Sequence, residues 1–285
     1  MSQPLRFAIA AVDRYIGVFE AFVQAGWRPV KLFTVPMTPQ TDSHMEVVAY
    51  AEQHKAQIQL SRITDHDLHE LGEAGCDILI VASYNWRIGN WHPALKYGIN
   101  FHPSPLPEGR GPYPAVRAIL EGRKSWGITC HKLAPEIDSG DMLAAENFPM
   151  SENENHESLD LKLQMAARRL AGKVANNFTT LWQNAQPQTG GSYWPRWTNE
   201  ARLIDFTMPV EHILRHLRAF GLIESLARLD HLIVSVKHTV GWRESHSYLP
   251  GQIVHTNNRA IVVAAADGYI GILDCNIVPA DVLKT

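Results

Sequence analysis

Residues 98–107 read GINFHPSPLP, and within them Asn100 and His102 stand two apart before a run of prolines. Along a strand, side chains i and i+2 leave the same face. A carboxamide donor and an imidazole that switches between donor and acceptor near neutral pH would then look out together from one strand end. That is the geometry of a site that polarises a substrate and moves a proton. A third group, Asp138, lies in the polar stretch 135–141 beside Gly140. A carboxylate next to an imidazole can take a proton, directly or through water, and favours the protonated ring. Gly140 is expected to let the backbone approach a ligand closely. Taken singly, each has an ordinary role: a histidine near a strand end hydrogen-bonds, an asparagine caps a turn, an aspartate makes one.

The elements that must position them follow from hydrophobic patterning. Residues 6–12 (RFAIAAV), 29–35 (PVKLFTV) and 76–83 (CDILIVAS) are short, aliphatic runs of the kind found in buried parallel strands. Between them, residues 15–26, 43–54 and 64–75 carry helical periodicity. The order strand, helix, strand, helix, weak strand, helix, strand predicts an α/β fold: an open, mostly parallel sheet with helices on both faces. Ligands of such sheets bind beyond the carboxyl ends of the strands. No GxGxxG or GxxxxGK[ST] pattern follows the first strand, which argues against a dinucleotide or P-loop site.

Residues 108–123 (EGRGPYPAVRAILEGR) make a Gly- and Pro-rich turn into a helix. Two strand-like runs within 126–150 flank the loop 135–141, and a long amphipathic helix is expected over 156–184. The boundaries read as a catalytic domain at 1–186, a linker at 187–206 and a β-rich C-terminal subdomain at 207–285. In that subdomain a helix at 210–220 precedes short runs at 231–236, 251–256, 260–265 and 268–275, which suggest a small barrel or sandwich.

Composition narrows the function classes. The net charge of −3 argues against broad nucleic-acid or membrane binding, and no apolar run approaches membrane-helix length. Three scattered cysteines, Cys76, Cys130 and Cys275, give neither a disulfide framework nor a zinc pattern. The pairs His66/His69 and His212/His216 have helix-face spacing but no nearby third ligand, so no metal is expected. The chain reads as a cytoplasmic protein.

INFHPSPLPEGRG, followed about thirty residues later by EIDSGDML, resembles the 10-formyltetrahydrofolate-dependent formyltransferase family, which includes methionyl-tRNA and sugar N-formyltransferases. The likeness runs over about residues 5–206, and SYWPRWTNEARLIDF is similar to the family's join to a C-terminal subdomain. It implies that Asn100, His102 and Asp138 are catalytic. It also implies that Tyr84, Asn85, Trp86, Arg87 and Ile88, with Glu136 and Ile137, enclose the folate donor. Ser104, Arg110 and Tyr113 are then acceptor-side candidates, with Arg110 either positioning its loop or meeting an acceptor phosphate. Formyl transfer passes through an oxyanion, for which Asn100 and His102 offer two donors.

The expected acceptor is the amine of a small molecule, such as an amino sugar nucleotide or an amine precursor of a natural product. Methionyl-tRNA is the alternative, as are hydrolysis of the formyl-folate and a folate-binding module without catalysis. A tRNA-gripping domain concentrates Lys and Arg, yet residues 201–285 hold eight Lys plus Arg against eight Asp plus Glu. The subdomain is therefore expected to serve as a homodimer surface or a wall of the acceptor site.

Overall fold

The first strand, β1 (Arg6–Ala11), is buried over its last five residues, as a central strand covered on both faces must be. It pairs in parallel with β2 (Arg28–Phe33) on one side and β4 (Ile78–Ala82) on the other. The short β3 (Gln57–Gln59) extends the sheet beyond β2, and β5 (Tyr97–His102) pairs in parallel with β4. The structure is a computed structural model that describes residues 4–36, 43–84 and 86–284, with Ala280 and Lys284 by backbone alone. With β6 (Ser125–Lys132) and β7 (Met142–Pro149), the seven strands lie in the order β3-β2-β1-β4-β5-β6-β7. Strand β6 runs antiparallel to β5 and places His131 opposite Asn100. The α/β sheet expected from the sequence is thus present, with a reversed strand beside the site.

Helices α1 (Ile16–Gln24), α2 (Met45–Gln53) and α3 (Asp65–Glu73) fall where the periodicity places them. Helix α3 starts at Thr64, whose hydroxyl accepts the Asp67 N–H while the Asp67 carboxylate accepts the Thr64 N–H, a reciprocal capping box. Asp67 also accepts from Gln59 and sits 3.4 Å from the Lys31 ammonium, both Asp67 and Lys31 being buried. Burial opposes ionisation of Asp67, yet the Thr64 and Gln59 hydrogen bonds and Lys31 outweigh it and hold the carboxyl at about 2. A depressed carboxyl contributes stability above its unfolded value of 3.8, and that contribution is lost as pH falls from about 4 to about 2. Asp67→Asn is therefore expected to destabilise the protein by on the order of 2 kcal/mol at pH 7, as measured by urea unfolding. A midpoint unchanged from wild type would contradict this.

The described residues form two compact units: those within 4–111, Ser125–Phe148 and Leu161–Trp194 in the first, and those within Pro112–Lys124, Pro149–Asp160 and 195–284 in the second. The second contains α4 (Pro114–Leu120), α6 (Val210–Phe220) and strands β8 (Ser225–Leu229), β9 (Leu232–Arg243), β10 (Ile253–Thr256), β11 (Ile261–Ala264) and β12 (Gly268–Val278). A long helix, α5 (His156–Gln183), has a break in helical geometry at Asn177. In the C-terminal region the hydrogen-bonded order is β10-β11-β12-β9-β8, one five-stranded antiparallel sheet among the described residues in place of two packed sheets. Val210 and Ile213 of α6 bury against Ala227, Val234, Val236, Ile270 and Ile272 of that sheet. Strand β8 escapes sequence patterning because its one outward residue is Arg228 and it closes on β9 across a two-residue turn.

Candidate active site

Strand β5 divides its side chains between core and site. Ile99 and Phe101 face inward and are fully buried, with the Phe101 ring 6.2 Å from Phe22 of α1. Burying one such aromatic ring contributes roughly 1.5–3 kcal/mol, which anchors the strand. Gly98, Asn100 and His102 leave the opposite face. A Cβ at Gly98 would crowd the Trp91 ring, so glycine there lets the tryptophan lie over the strand.

Asn100, His102 and Asp138 converge. The Asn100 amide Nδ2 donates to Asp138 Oδ1 at 3.2 Å, and His102 Nδ1 lies 3.4 Å from Asp138 Oδ2. The Gly111 N–H donates to Asp138 Oδ2 at 2.9 Å, and His102 Nε2 is 2.8 Å from the Gly109 carbonyl. A carbonyl only accepts, so Nε2 carries the proton of a neutral His102 ring and leaves the Nδ1 lone pair facing Asp138. Asp138 itself has a left-handed backbone, φ 54°. Gly140, two residues on, is required by a contact other than the one expected: a Cβ there would strike the Lys132 carbonyl of β6, so the glycine serves strand packing and not ligand approach.

The electrostatics reverse one expectation. His102 is only 5% exposed, and burial pushes its pKa below the ordinary 6.5, overcoming the upward pull of Asp138 and of the Gly109 carbonyl. The imidazole is therefore neutral at pH 7, although a neighbouring carboxylate alone would favour the charged ring. Burial also opposes ionisation of Asp138, but the imidazoles of His102 and His131 and the Gly111 N–H prevail and hold it at about 2. Neutral His102, with its one hydrogen committed to Gly109, cannot also donate to an oxyanion. It is arranged to accept a proton, with a carboxylate in place to stabilise the cation that results.

Asn100 and Asp138 open onto a cavity of about 670 Å³, within the usual range for small-molecule sites. Its walls include Tyr84, Trp86, Arg87, Ile88, Glu136 and Ile137, all expected around the folate, together with Trp91, His131 and Leu133. Tyr84 accepts the Ile63 N–H at 2.9 Å and meets Trp86 edge-on at 5.4 Å, while the Arg62 guanidinium covers the Trp86 ring. Arg87 Nη2 donates to the Pro135 carbonyl at 2.9 Å, tying the two walls together. Aromatic surfaces flanked by backbone polar groups suit a flat heteroaromatic ring such as a pterin. Asn85 lies outside the described residues.

The acceptor-side candidates separate. Ser104 is fully buried, and its hydroxyl donates to the Glu108 carbonyl at 2.7 Å, so it fastens its own loop and does not face an acceptor. Arg110 Nε donates to Gln188 Oε1 at 2.9 Å and Nη2 to the Gly190 carbonyl at 3.1 Å, which makes it a loop-positioning group. Tyr113 belongs to the second unit, where it caps α4 with a left-handed backbone and its ring lies under Arg196. His66 and His69 face Glu70 and Glu73 on the surface of α3, and His216 Nε2 donates to the Arg202 carbonyl. Among the described residues no group of three or more His, Cys, Asp or Glu is arranged to hold a metal ion.

Two residues around the trio carry no expectation from the sequence. His131, 2% exposed, places Nε2 at 3.1 Å from Asn100 Nδ2 and 3.6 Å from Asp138 Oδ1, while Nδ1 donates to the Lys132 carbonyl. Gln188 donates through Nε2 to the carbonyls of Asp138 and Gly140, both at 2.8 Å. A lone histidine in the strand-like run ITCHKL is the available signal for the first. For the second there is none, since it lies in a Pro- and Gly-rich stretch.

Comparison with known proteins agrees with this geometry. Residues 38–174 match the formyl transferase family model, and residues 196–278 match its C-terminal domain model. A methionyl-tRNA formyltransferase of Anaplasma marginale is 32% identical over 61% of this chain and 58% of its own length. One of Halorhodospira halophila is 27% identical over 93% of this chain and 87% of its own. Among solved structures, HypX from Aquifex aeolicus superposes with a TM-score of 0.71 at 17% identity, over 98% of this chain but 47% of HypX. The N-formyltransferase from Helicobacter canadensis, solved with folinic acid and dTDP-3-aminofucose, gives 0.67 at 16% identity, over 96% of this chain and 100% of its own. At those identities the structures speak to the fold. Through both of its domain models, and with Asn100 and Asp138 lining its cavity and His102 beside Asp138, the chain belongs to the formyl transferase family of folate-dependent enzymes.

Proposed function

We propose that this protein transfers a formyl group from 10-formyltetrahydrofolate to the amine of a small-molecule acceptor, an amino sugar nucleotide or an amine precursor of a natural product. The observation that carries the reading is the meeting of Asn100, His102 and Asp138, with Asn100 and Asp138 lining an aromatic cavity of about 670 Å³. The cavity holds the folate donor as substrate. The Asn100 amide polarises the formyl oxygen as the acceptor amine adds to the formyl carbon. His102 Nδ1, which faces Asp138, accepts through water the proton that the amine sheds, and returns it by the same route to the departing folate nitrogen. Asp138, a poor base at about 2, instead stabilises the imidazolium and orients the ring. Water in place of the amine would give hydrolysis with the same groups, and a non-catalytic folate module would not need the trio intact.

Charge supports the small acceptor. Residues 201–285 are balanced, and the arginines of α6 do not form a basic face on their own. Arg215 and Arg218 line a cavity of about 320 Å³ with Arg123 and Lys124, but Glu121, Glu152, Glu154 and Glu211 line it too. Arg218 sits 3.6 Å from Glu211 and Lys124 3.2 Å from Glu152. Methionyl-tRNA is the second reading, favoured by the curated relatives of Anaplasma and Halorhodospira. A filter-binding titration with tRNA at low and physiological salt separates them. The expected result is weak binding, in the non-specific range of roughly 10⁻⁴–10⁻⁶ M at physiological salt. Sub-micromolar binding with a steep salt slope, together with formylation of charged methionyl-tRNA, would establish the tRNA acceptor.

A further inference from the structure

We propose that Gln188 is a positioning residue for catalysis, its carboxamide clamping the turn that carries Asp138 to the turn that carries Gly109 and Gly111, so that Asp138 is held against His102. The inference rests on the formyl-transfer reading for its kinetic part only. Gln188 uses both amide hydrogens on the Asp138 turn, donating to the Asp138 and Gly140 carbonyls. Its oxygen accepts from Arg110 Nε, and Arg110 in turn donates from Nη2 to the Gly190 carbonyl. The same stretch grips the Gly109 turn again. Ser192 Oγ accepts the Gly109 N–H at 3.1 Å, the Ser192 N–H donates to the Pro107 carbonyl, and the Arg110 N–H donates to the Ser192 carbonyl.

This arrangement answers a specific need. Asp138 is a non-glycine residue at φ 54°, a conformation that persists only when surrounding contacts over-determine it. Its carboxylate accepts the Gly111 N–H, and the Gly109 carbonyl fixes the His102 tautomer. Both halves of the His102 and Asp138 pair are therefore set by backbone groups of the Gly109–Gly111 turn, which must stay in register with the turn that carries Asp138. Gln188 bonds to both turns, to one through the Asp138 and Gly140 carbonyls and to the other through the Arg110 side chain. Glutamate at this position would keep the length but present acceptors to two carbonyls, losing both donations and adding repulsion.

The test compares wild type with Gln188→Glu and Gln188→Ala. Each is expected to lower kcat for formyl transfer by roughly 10–100-fold, the scale of an ångström-level misplacement, with a smaller change in donor KM. Without substrate, ¹⁵N NMR titration of His102 should move to lower pH in both variants. The groups facing the ring are Asp138, the Gly109 carbonyl and His131, and only Asp138 supplies an upward charge that the loosened turn would withdraw. Should Gln188→Ala fail to fold, Gln188→Asn keeps the amide but is too short to reach both turns, and it should show the same two effects. A folded variant with wild-type kcat and an unchanged His102 titration would overturn the clamp, even if its melting temperature fell. If wild type transfers no formyl group while the titration shifts as described, the functional reading fails and the clamp stands.

Discussion

Replacing His102 with glutamine should lower formyl transfer by ~10²–10⁴-fold while the protein remains folded, the range expected for loss of a positioned proton-transfer group. Glutamine Nε2 can still donate to the Gly109 carbonyl, which His102 satisfies at 2.8 Å, so the buried acceptor is not orphaned. What disappears is the Nδ1 lone pair facing Asp138 at 3.4 Å. Donor affinity should change little, because the buried His102 ring is not among the residues around the cavity. Wild-type turnover in a folded His102→Gln protein would remove the histidine from the chemistry. The wild-type rate should also fall on acidification with an apparent pKa below 6.5, since burial lowers that of His102 and only the neutral ring accepts a proton.

Asp138→Asn should cost ~10²–10³-fold in rate and lower stability by an amount that depends on pH. The carboxylate accepts the Gly111 N–H on Oδ2 and the Asn100 amide on Oδ1, and an asparagine, with one oxygen, cannot accept both in place. Because the folded carboxyl sits at about 2 against 3.8 unfolded, its contribution is present above pH 4 and lost between about 4 and 2. His102 works through a different proton. Its folded pKa lies below 6.5, so the unfolded state binds the proton more readily and stability declines as pH falls below that value. At pH 7 the Asp138→Asn protein should therefore be less stable than wild type, and the difference should shrink at pH 3. Urea unfolding at the two pH values reads both, and an equal difference at each would contradict the assignment of Asp138 as the depressed group.

The central sheet is readable because buried parallel strands such as ILIVA in β4 are apolar throughout, and α3 is readable from the helical periodicity of residues 64–75. Asn100 and His102 are readable because the two-residue period places them on one face whatever surrounds them. Beyond that, local pattern is silent. His131 comes to Asn100 through the antiparallel register of β6 on β5, which no property of either segment alone specifies. Gln188 reaches Asp138 across fifty residues, from a stretch whose prolines and glycines read as a connection between domains. The charge state of His102 depends on how deeply NFHP is buried, and the same depth takes Ser104 away from any acceptor.

The central claim is that the Asn100, His102 and Asp138 cluster moves a formyl group from the folate to an amine. Its most direct test is a single-turnover experiment with excess enzyme, 10-formyltetrahydrofolate and a panel of small amines plus charged methionyl-tRNA, followed by mass spectrometry of every product. Appearance of a formylated small amine together with free tetrahydrofolate, abolished in the His102→Gln protein, is the predicted result. Release of formate with no formylated amine, or transfer that survives the His102 substitution, would contradict it.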